Sequence, residues 1–137
     1  MVQEKAERNN ANQVAGRVVD IEFDLMIQKK RKGMKPALPH ISSEKTSICI
    51  CVRKRPLFQK EMKQGEIDSI SCANPYITIH EPKVKVDGIT KYIQDHQFIF
   101  DNTFSHQEES HDIYQHQIKG LIPSIFSKGI VTLFAYG

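Results

Sequence analysis

Apolar positions in the first 32 residues recur at helical spacing. Val14, Val18, Ile21, Leu25 and, more loosely, Gln28 step along one face every three or four residues, and Phe23, Met26 and Ile27 widen that face. The pattern predicts an amphipathic helix from Glu4 to about Lys32, stopped by Gly33, Pro36 and Pro39, with residues 33–46 as an extended linker. The period then shortens. Ser47-Ile48-Cys49-Ile50-Cys51-Val52-Arg53 is an apolar run of strand length, as in a strand covered on both faces, and Pro56 closes it. Leu57 to Gly65 reads as a short helix or loop. Ile67, Ser69–Cys72 and Tyr76–Ile79 are β-like, with Asn74-Pro75 as a turn. Lys83-Val84-Lys85-Val86-Asp87 alternates charge and valine like a hairpin arm; Gly88 supplies the turn, Thr90–Gln94 return, and Gln97–Asp101 form a further strand.

Ser105-His106-Gln107-Glu108 has capping-box spacing. Beyond it Ile113, Gln117, Leu121 and Ile125, with Tyr114, Ile118, Ile122 and Phe126, recur every four residues and predict a helix over 108–128, capped by Gly129. Pro123 predicts a bend within it. Ile130–Phe134 reads as a strand. Strand–helix–strand order at this end predicts an α/β fold with a parallel crossover, preceded by a small antiparallel side lobe.

Composition narrows the function classes. A length of 137 residues suits one compact domain at most. No apolar run approaches the length of a membrane span, and the charged Met1–Lys5 segment carries no secretory signal. An odd number of cysteines, three, argues against a disulfide framework; Cys49 and Cys51 sit on one strand face and read as reduced thiols of an intracellular protein, with a metal site the minor alternative. Residues 1–45 hold nine Lys/Arg against six Asp/Glu, whereas the remainder is balanced, so the net charge of +3 lies in the N-terminal third. The block Lys29-Lys30-Arg31-Lys32 is either a solvated face or a contact for a polyanion. Nucleic acid ranks last among such partners, because no aromatic side chain is interleaved with the block. His106, His111 and His116 are spaced five apart and cannot converge as a helical zinc pair would, and no nucleophile–base pair is visible.

Three motifs occur in a fixed order: Arg53-Lys54-Arg55-Pro56, Phe98-Ile99-Phe100-Asp101 and Phe134-Ala135-Tyr136-Gly137. Together they resemble the kinesin motor domain. Between them His80-Glu81-Pro82-Lys83-Val84-Lys85-Val86-Asp87 and Thr90-Lys91-Tyr92 are similar to the class-specific hairpin of the kinesin-13 microtubule depolymerases, and Phe23-Asp24-Leu25-Met26-Ile27 with Arg31 resembles the neck ahead of that motor.

The resemblance implies a basic neck helix and linker over 1–45 and the N-terminal part of a P-loop NTPase motor over 46–137, with a central mixed sheet flanked by helices. It implies that Arg53 and Pro56 sandwich the adenine of ATP, that Tyr114 lies near the same ring, and that Gly137 is the first glycine of the phosphate loop. It implies ATP and Mg²⁺ as ligands of the complete motor, tubulin as partner, a homodimeric full-length protein, and a place in the cytoplasm on microtubules or the spindle. Neither nucleic acid nor membrane is implied. Lys85, Val86 and Asp87 would probe between tubulin subunits, and Lys29, Lys30, Arg31 and Lys32 would hold acidic tubulin. The family's hairpin runs from the Asp directly into the next strand, whereas here Gly88 and Ile89 add a residue. The Lys and Ser/Thr of the phosphate loop and the two switch motifs do not occur in these residues. Phosphoryl transfer depends on them for charge and positioning, so the 137 residues by themselves are expected neither to bind ATP tightly nor to hydrolyse it. The alternative reading is a non-catalytic tubulin-binding piece.

Overall fold

The computed structural model describes residues 2–14 and 19–137. Two helices open the chain, α1 (Val2–Val14) and α2 (Ile21–Lys32). The single helix expected from Glu4 is two because Asp20 begins the second. Its carboxylate accepts from Glu22 N (3.2 Å) and Phe23 N (3.4 Å), satisfying amides that have no partner inside the helix. Val18, on the predicted apolar face, lies outside the described residues. The buried face of α2 centres on Asp24 and Ile27, while Ile21, Leu25 and Gln28 are half-buried. Arg8 of α1 pairs with Asp24.

The strands are β1 (Cys51–Arg53), β2 (Ile70–Ala73), β3 (Tyr76–Val84), β4 (Lys91–Ile99) and β5 (Asn102–Phe104); a short helix, α3 (Gln59–Lys63), follows β1. The antiparallel lobe is the meander β2-β3-β4, and its long ladder runs from Tyr76↔Ile99 to Val84↔Lys91. Residues 97–99 therefore belong to the returning hairpin arm, carried there by the nine-residue length of β3. The parallel pair is β1 with β5, Cys51↔Asn102 to Arg53↔Phe104.

Three expectations are corrected here. The strand over 47–53 shrinks to Cys51–Arg53, with Ile48 and Ile50 exposed, because its one strand neighbour among the described residues is three residues long. Ile130–Phe134 forms no strand, and Ile130, Leu133 and Phe134 are exposed; a strand needs a neighbour for its backbone groups, and none engages this segment. The parallel pairing thus comes from residues 102–104 rather than from 130–134.

The helix over 108–128 is broken into α4 (Ser110–Ile113), a π turn (Tyr114–Ile118), a 3-10 turn (Lys119–Leu121) and α5 (Ile122–Phe126). Pro123 has no N–H to donate to the preceding turn, so it sits in the first turn of α5, where that group has no use. At the start, Glu108 folds back to accept from Ser105 N (2.5 Å), so the capping pattern closes a turn ahead of the helix. Asp112 then accepts from Glu109 N (2.7 Å). At the end Lys128, at φ 62°, takes the left-handed position, and Gly129 N donates to Ser124 O (2.8 Å) just beyond it.

Packing rests largely on satisfied polar groups. Ile27, Ile77 and Phe104 are the buried apolar side chains among the described residues; Ser71, Asn74, His80, Asn102, Thr103 and Gln117 are buried with them. Asn74 donates to Leu38 O (3.0 Å) and Pro39 O (3.1 Å) and accepts from Thr103 N (2.8 Å), while Asn102 exchanges two bonds with the Ile41 backbone. These bonds pin the linker to the sheets. Cys49 and Cys51 share a face as expected, with sulfurs 3.6 Å apart, and both donate to Gln117 Oε1. Burial and the neighbouring Cys49 push the Cys51 thiol up to about 12, which keeps it protonated. Among the described residues no three His, Cys, Asp or Glu side chains are arranged to hold a metal, and no helix is long and apolar enough to cross a membrane.

A hydrogen-bond circuit fastens α2 to the lobe. Arg31 donates through Nε to Ser71 Oγ (2.9 Å) and through Nη2 to both Ile70 O (3.0 Å) and Asp68 O. Ser71 Oγ lies 2.8 Å from His80 Nε2, His80 Nδ1 lies 2.8 Å from Asp95 Oδ1, and Lys30 Nζ closes the ring on Asp95 at 2.5 Å. Burial pushes the Asp95 carboxyl up, but the bonds from Lys30 and His80 outweigh it and the net shift is downward. Asp68 shifts the same way, with burial opposed by Lys54 and Arg31.

A carboxyl depressed in the folded state stabilises fully above its unfolded value, and that contribution disappears as pH falls through the folded one. The α2–lobe contact is therefore expected to hold at neutral pH and to open on acidification below about pH 4. Amide exchange of β4 along an acid titration measures this, and Asp95→Asn should flatten the acid limb.

Candidate functional site

The Arg53–Pro56 corner is built by the β1–β5 pair. Lys54 N donates to Phe104 O (2.9 Å), which carries the parallel ladder one residue past β1 and sets the direction in which the corner leaves the sheet. The Arg53 guanidinium then reaches the start of α4, donating to Glu108 O (3.1 Å) and Ser110 Oγ (3.3 Å). Both bonds use its edge. A guanidinium held by its edge leaves its π-faces open to stack on a planar ring. Pro56 is exposed one residue beyond Arg55.

The two cations between them are committed elsewhere. Lys54 is nearly buried and bonds Asp68 (2.6 Å) and Ile70 O (2.7 Å). Arg55 makes a two-point contact with Glu61 (2.6 and 2.8 Å) and lies 4.2 Å from the centre of the Phe58 ring. The Arg55 bonds and the Phe58 amide hold the Glu61 carboxyl down at about 2. Lys54 and Arg55 thus face neighbouring carboxylates, which leaves Arg53 as the one basic side chain of the motif without an acidic partner among the described residues. A pocket of about 520 Å³ opens beside the corner, with Arg53 and Arg55 in its wall over Val52, Leu57, Ile77 and Phe98.

Tyr114 lies one turn further along the same helical segment, half open to solvent, with its ring 6.4 Å from His111. It neither stacks on Arg53 nor makes a cation–π contact with it. Gly137 is exposed, with open space where a side chain would be. The corner thus offers an edge-held guanidinium with open faces and an exposed proline ring.

The second cluster is the hairpin. Lys85, Val86 and Asp87 sit at its end, all exposed. The last rung before that end is tied to α2: Lys91 Nζ bonds Asp20 (2.7 Å) and lies 4.9 Å from the Phe23 ring centre. Of the basic block, Lys29 and Lys32 face solvent, whereas Lys30 and Arg31 are spent on the circuit just described. Ser110 and Glu108 as partners of Arg53 were invisible to sequence reasoning, since neither contact follows from spacing along the chain.

The family described as "Kinesin motor domain" matches residues 53–137, more than half of the chain. The chain belongs to the kinesin family. Diatom spindle kinesin-1 of Cylindrotheca fusiformis is 35% identical over 147 aligned positions, which cover all of this chain and 24% of that relative. This kinesin chain therefore spans about a quarter of the length of the curated relative. The family match begins at Arg53, the residue that the structure holds by its edge.

Proposed function

We propose that this kinesin chain is the neck, adenine-binding corner and tubulin-probing hairpin of a kinesin-13-like microtubule depolymerase, with residues 1–45 as neck and linker and 46–137 as the first part of the motor. The observation that carries the reading is the hairpin: two nine-residue arms in continuous register end in a fully exposed Lys85-Val86-Asp87. A stiff arm with an apolar residue at its end suits insertion between subunits of a larger assembly. In the complete motor, ATP would stack its adenine between Arg53 and Pro56, and Mg²⁺ and the phosphates would be held by the phosphate loop that follows Gly137 in the family. Bound nucleotide supplies the energy of the cycle; this chain's residues orient its base. Lys29 and Lys32 supply the basic surface for acidic tubulin, and Lys30 and Arg31 keep the neck in place to present it. The protein then works in the cytoplasm on microtubules.

The complete protein, mixed with stabilised microtubules and ATP, is expected to release tubulin into the supernatant. Replacing Lys85, Val86 and Asp87 together by alanine should slow release by about tenfold or more while leaving ATP binding intact. Release at the unmodified rate by that variant would rule the reading out.

A further inference from the structure

The end of the hairpin is organised by its acid. Lys85 O accepts from Gly88 N (2.9 Å) and Lys85 N donates to Thr90 O (2.9 Å), so residues 86–89 form the loop. Within it, Asp87 Oδ1 accepts from Ile89 N (2.9 Å) and Thr90 N (2.8 Å), and Oδ2 accepts from Thr90 Oγ1 (2.5 Å). An ionised carboxylate has about four acceptor positions, and three are used inside the loop. These bonds, the Thr90 hydroxyl first, hold the Asp87 carboxyl below its usual range. Gly88, at φ 71°, lets the chain double back.

The apolar side chains take the opposite course. Val86 is 107% exposed and Ile89 is 84% exposed. They flank Asp87 and Gly88 and project from a turn that Asp87 ties shut. Lys85 has no acidic partner among the described residues and remains available to a carboxylate on a partner. The family resemblance implies Lys85, Val86 and Asp87 as one contact unit. The structure divides them, with Lys85 and Val86 facing outward and Asp87 facing its own backbone.

We propose that the contact surface of this tip is the aliphatic pair Val86 and Ile89 beside Lys85, and that Asp87 is a positioning residue that presents the pair by locking the turn. This rests on the reading of the hairpin as a tubulin probe. The partner surface is then an apolar hollow on tubulin with an acidic rim, wide enough for two branched side chains three residues apart. A carboxylate turned inward also avoids repulsion from an acidic partner, as an outward one would not.

The test compares single variants of the complete protein for tubulin release and for amide exchange at Thr90. Val86→Ala and Ile89→Ala should each slow release by about tenfold, with exchange unchanged. Asp87→Ala should slow release by about fivefold and speed Thr90 exchange, because the turn opens. Asp87→Asn keeps an oxygen for the Ile89 and Thr90 amides while discarding the charge, and should stay within about twofold of the unmodified protein in both readouts. The proposal is overturned if Asp87→Asn releases tubulin as slowly as Asp87→Ala while Thr90 stays protected, since the charge itself would then meet the partner. It is also overturned if Ile89→Ala behaves as the unmodified protein while Val86→Ala is slow. If Val86→Ala itself leaves release unchanged, the probe reading of the hairpin falls, and this inference with it.

Discussion

Truncating Phe104 to alanine is expected to cost about 3–5 kcal/mol of stability, the largest loss from any single apolar side chain in this chain. Phe104 is 1% exposed and stacks face to face on His40, with ring centres 4.5 Å apart and planes within 5°. It closes β5, and its carbonyl takes the bond from Lys54 N that extends the β1–β5 ladder. With so few apolar side chains fully buried, no neighbouring core is available to collapse into the space. The loss should also reach the Arg53–Pro56 corner, because β5 pairs with Cys51–Arg53 and sets its direction. Denaturant unfolding of the complete protein, followed on its motor, measures the first effect. Weaker ATP binding by a variant that remains folded measures the second. A Phe104→Ala protein within about 1 kcal/mol of the unmodified one would show that β5 is not the keystone of the parallel pair.

Arg31→Ala is expected to detach α2 from the lobe. The substitution removes three hydrogen bonds; Asp68 O loses its donor, while Ile70 O keeps Lys54 Nζ and the Ser71 hydroxyl keeps His80. It also takes one of two cations from Asp68, leaving Lys54 alone. One orphaned acceptor costs about 1–3 kcal/mol when fully enclosed, so with partial solvent access and the two weakened sites the total is about 1–3 kcal/mol. Because the bonds bridge α2 and β2, the loss should appear as local opening: faster amide exchange over Ile70–Ala73 and new protease cleavage between α2 and β1, with the β3–β4 ladder unaffected. Arg31→Lys should recover little, since a single ammonium cannot reach Ser71 Oγ and two carbonyls in the geometry a planar fork allows. Unchanged exchange in Arg31→Ala would mean that Ile27 packing alone holds α2.

What the sequence makes legible, and what it hides, follows the reach of each interaction. The hairpin was readable because alternation of Lys and Val, the Gly88 turn and the return through Thr90 are local signals, and the ladder from Tyr76 to Val84 fulfils them. The corner was readable as a motif, and its strand–turn context held. The lengths of β1 and of the final apolar run were not, since a strand is defined by its neighbour and the residues near Ile130 have none among those described. Pro123 signalled the bend that opens α5, whereas the loosening after Ile113 had no such signal: it falls at Gln117, whose backbone carbonyl accepts from Ser43 Oγ while its side chain serves two thiols. Arg31 looked like one of four surface cations. Its partners lie 37 to 40 residues away, and only the folded lobe brings them together.

The bond between Lys91 and Asp20 has a mechanical meaning. The β3–β4 arm is free only in the loop beyond Val84, and it is bolted to α2 at two points, through Lys91 on the last rung of the ladder to the front of the helix and through Asp95 at mid-arm to Lys30 at its back. A sideways load on the tip is therefore delivered as torque to both ends of one twelve-residue helix.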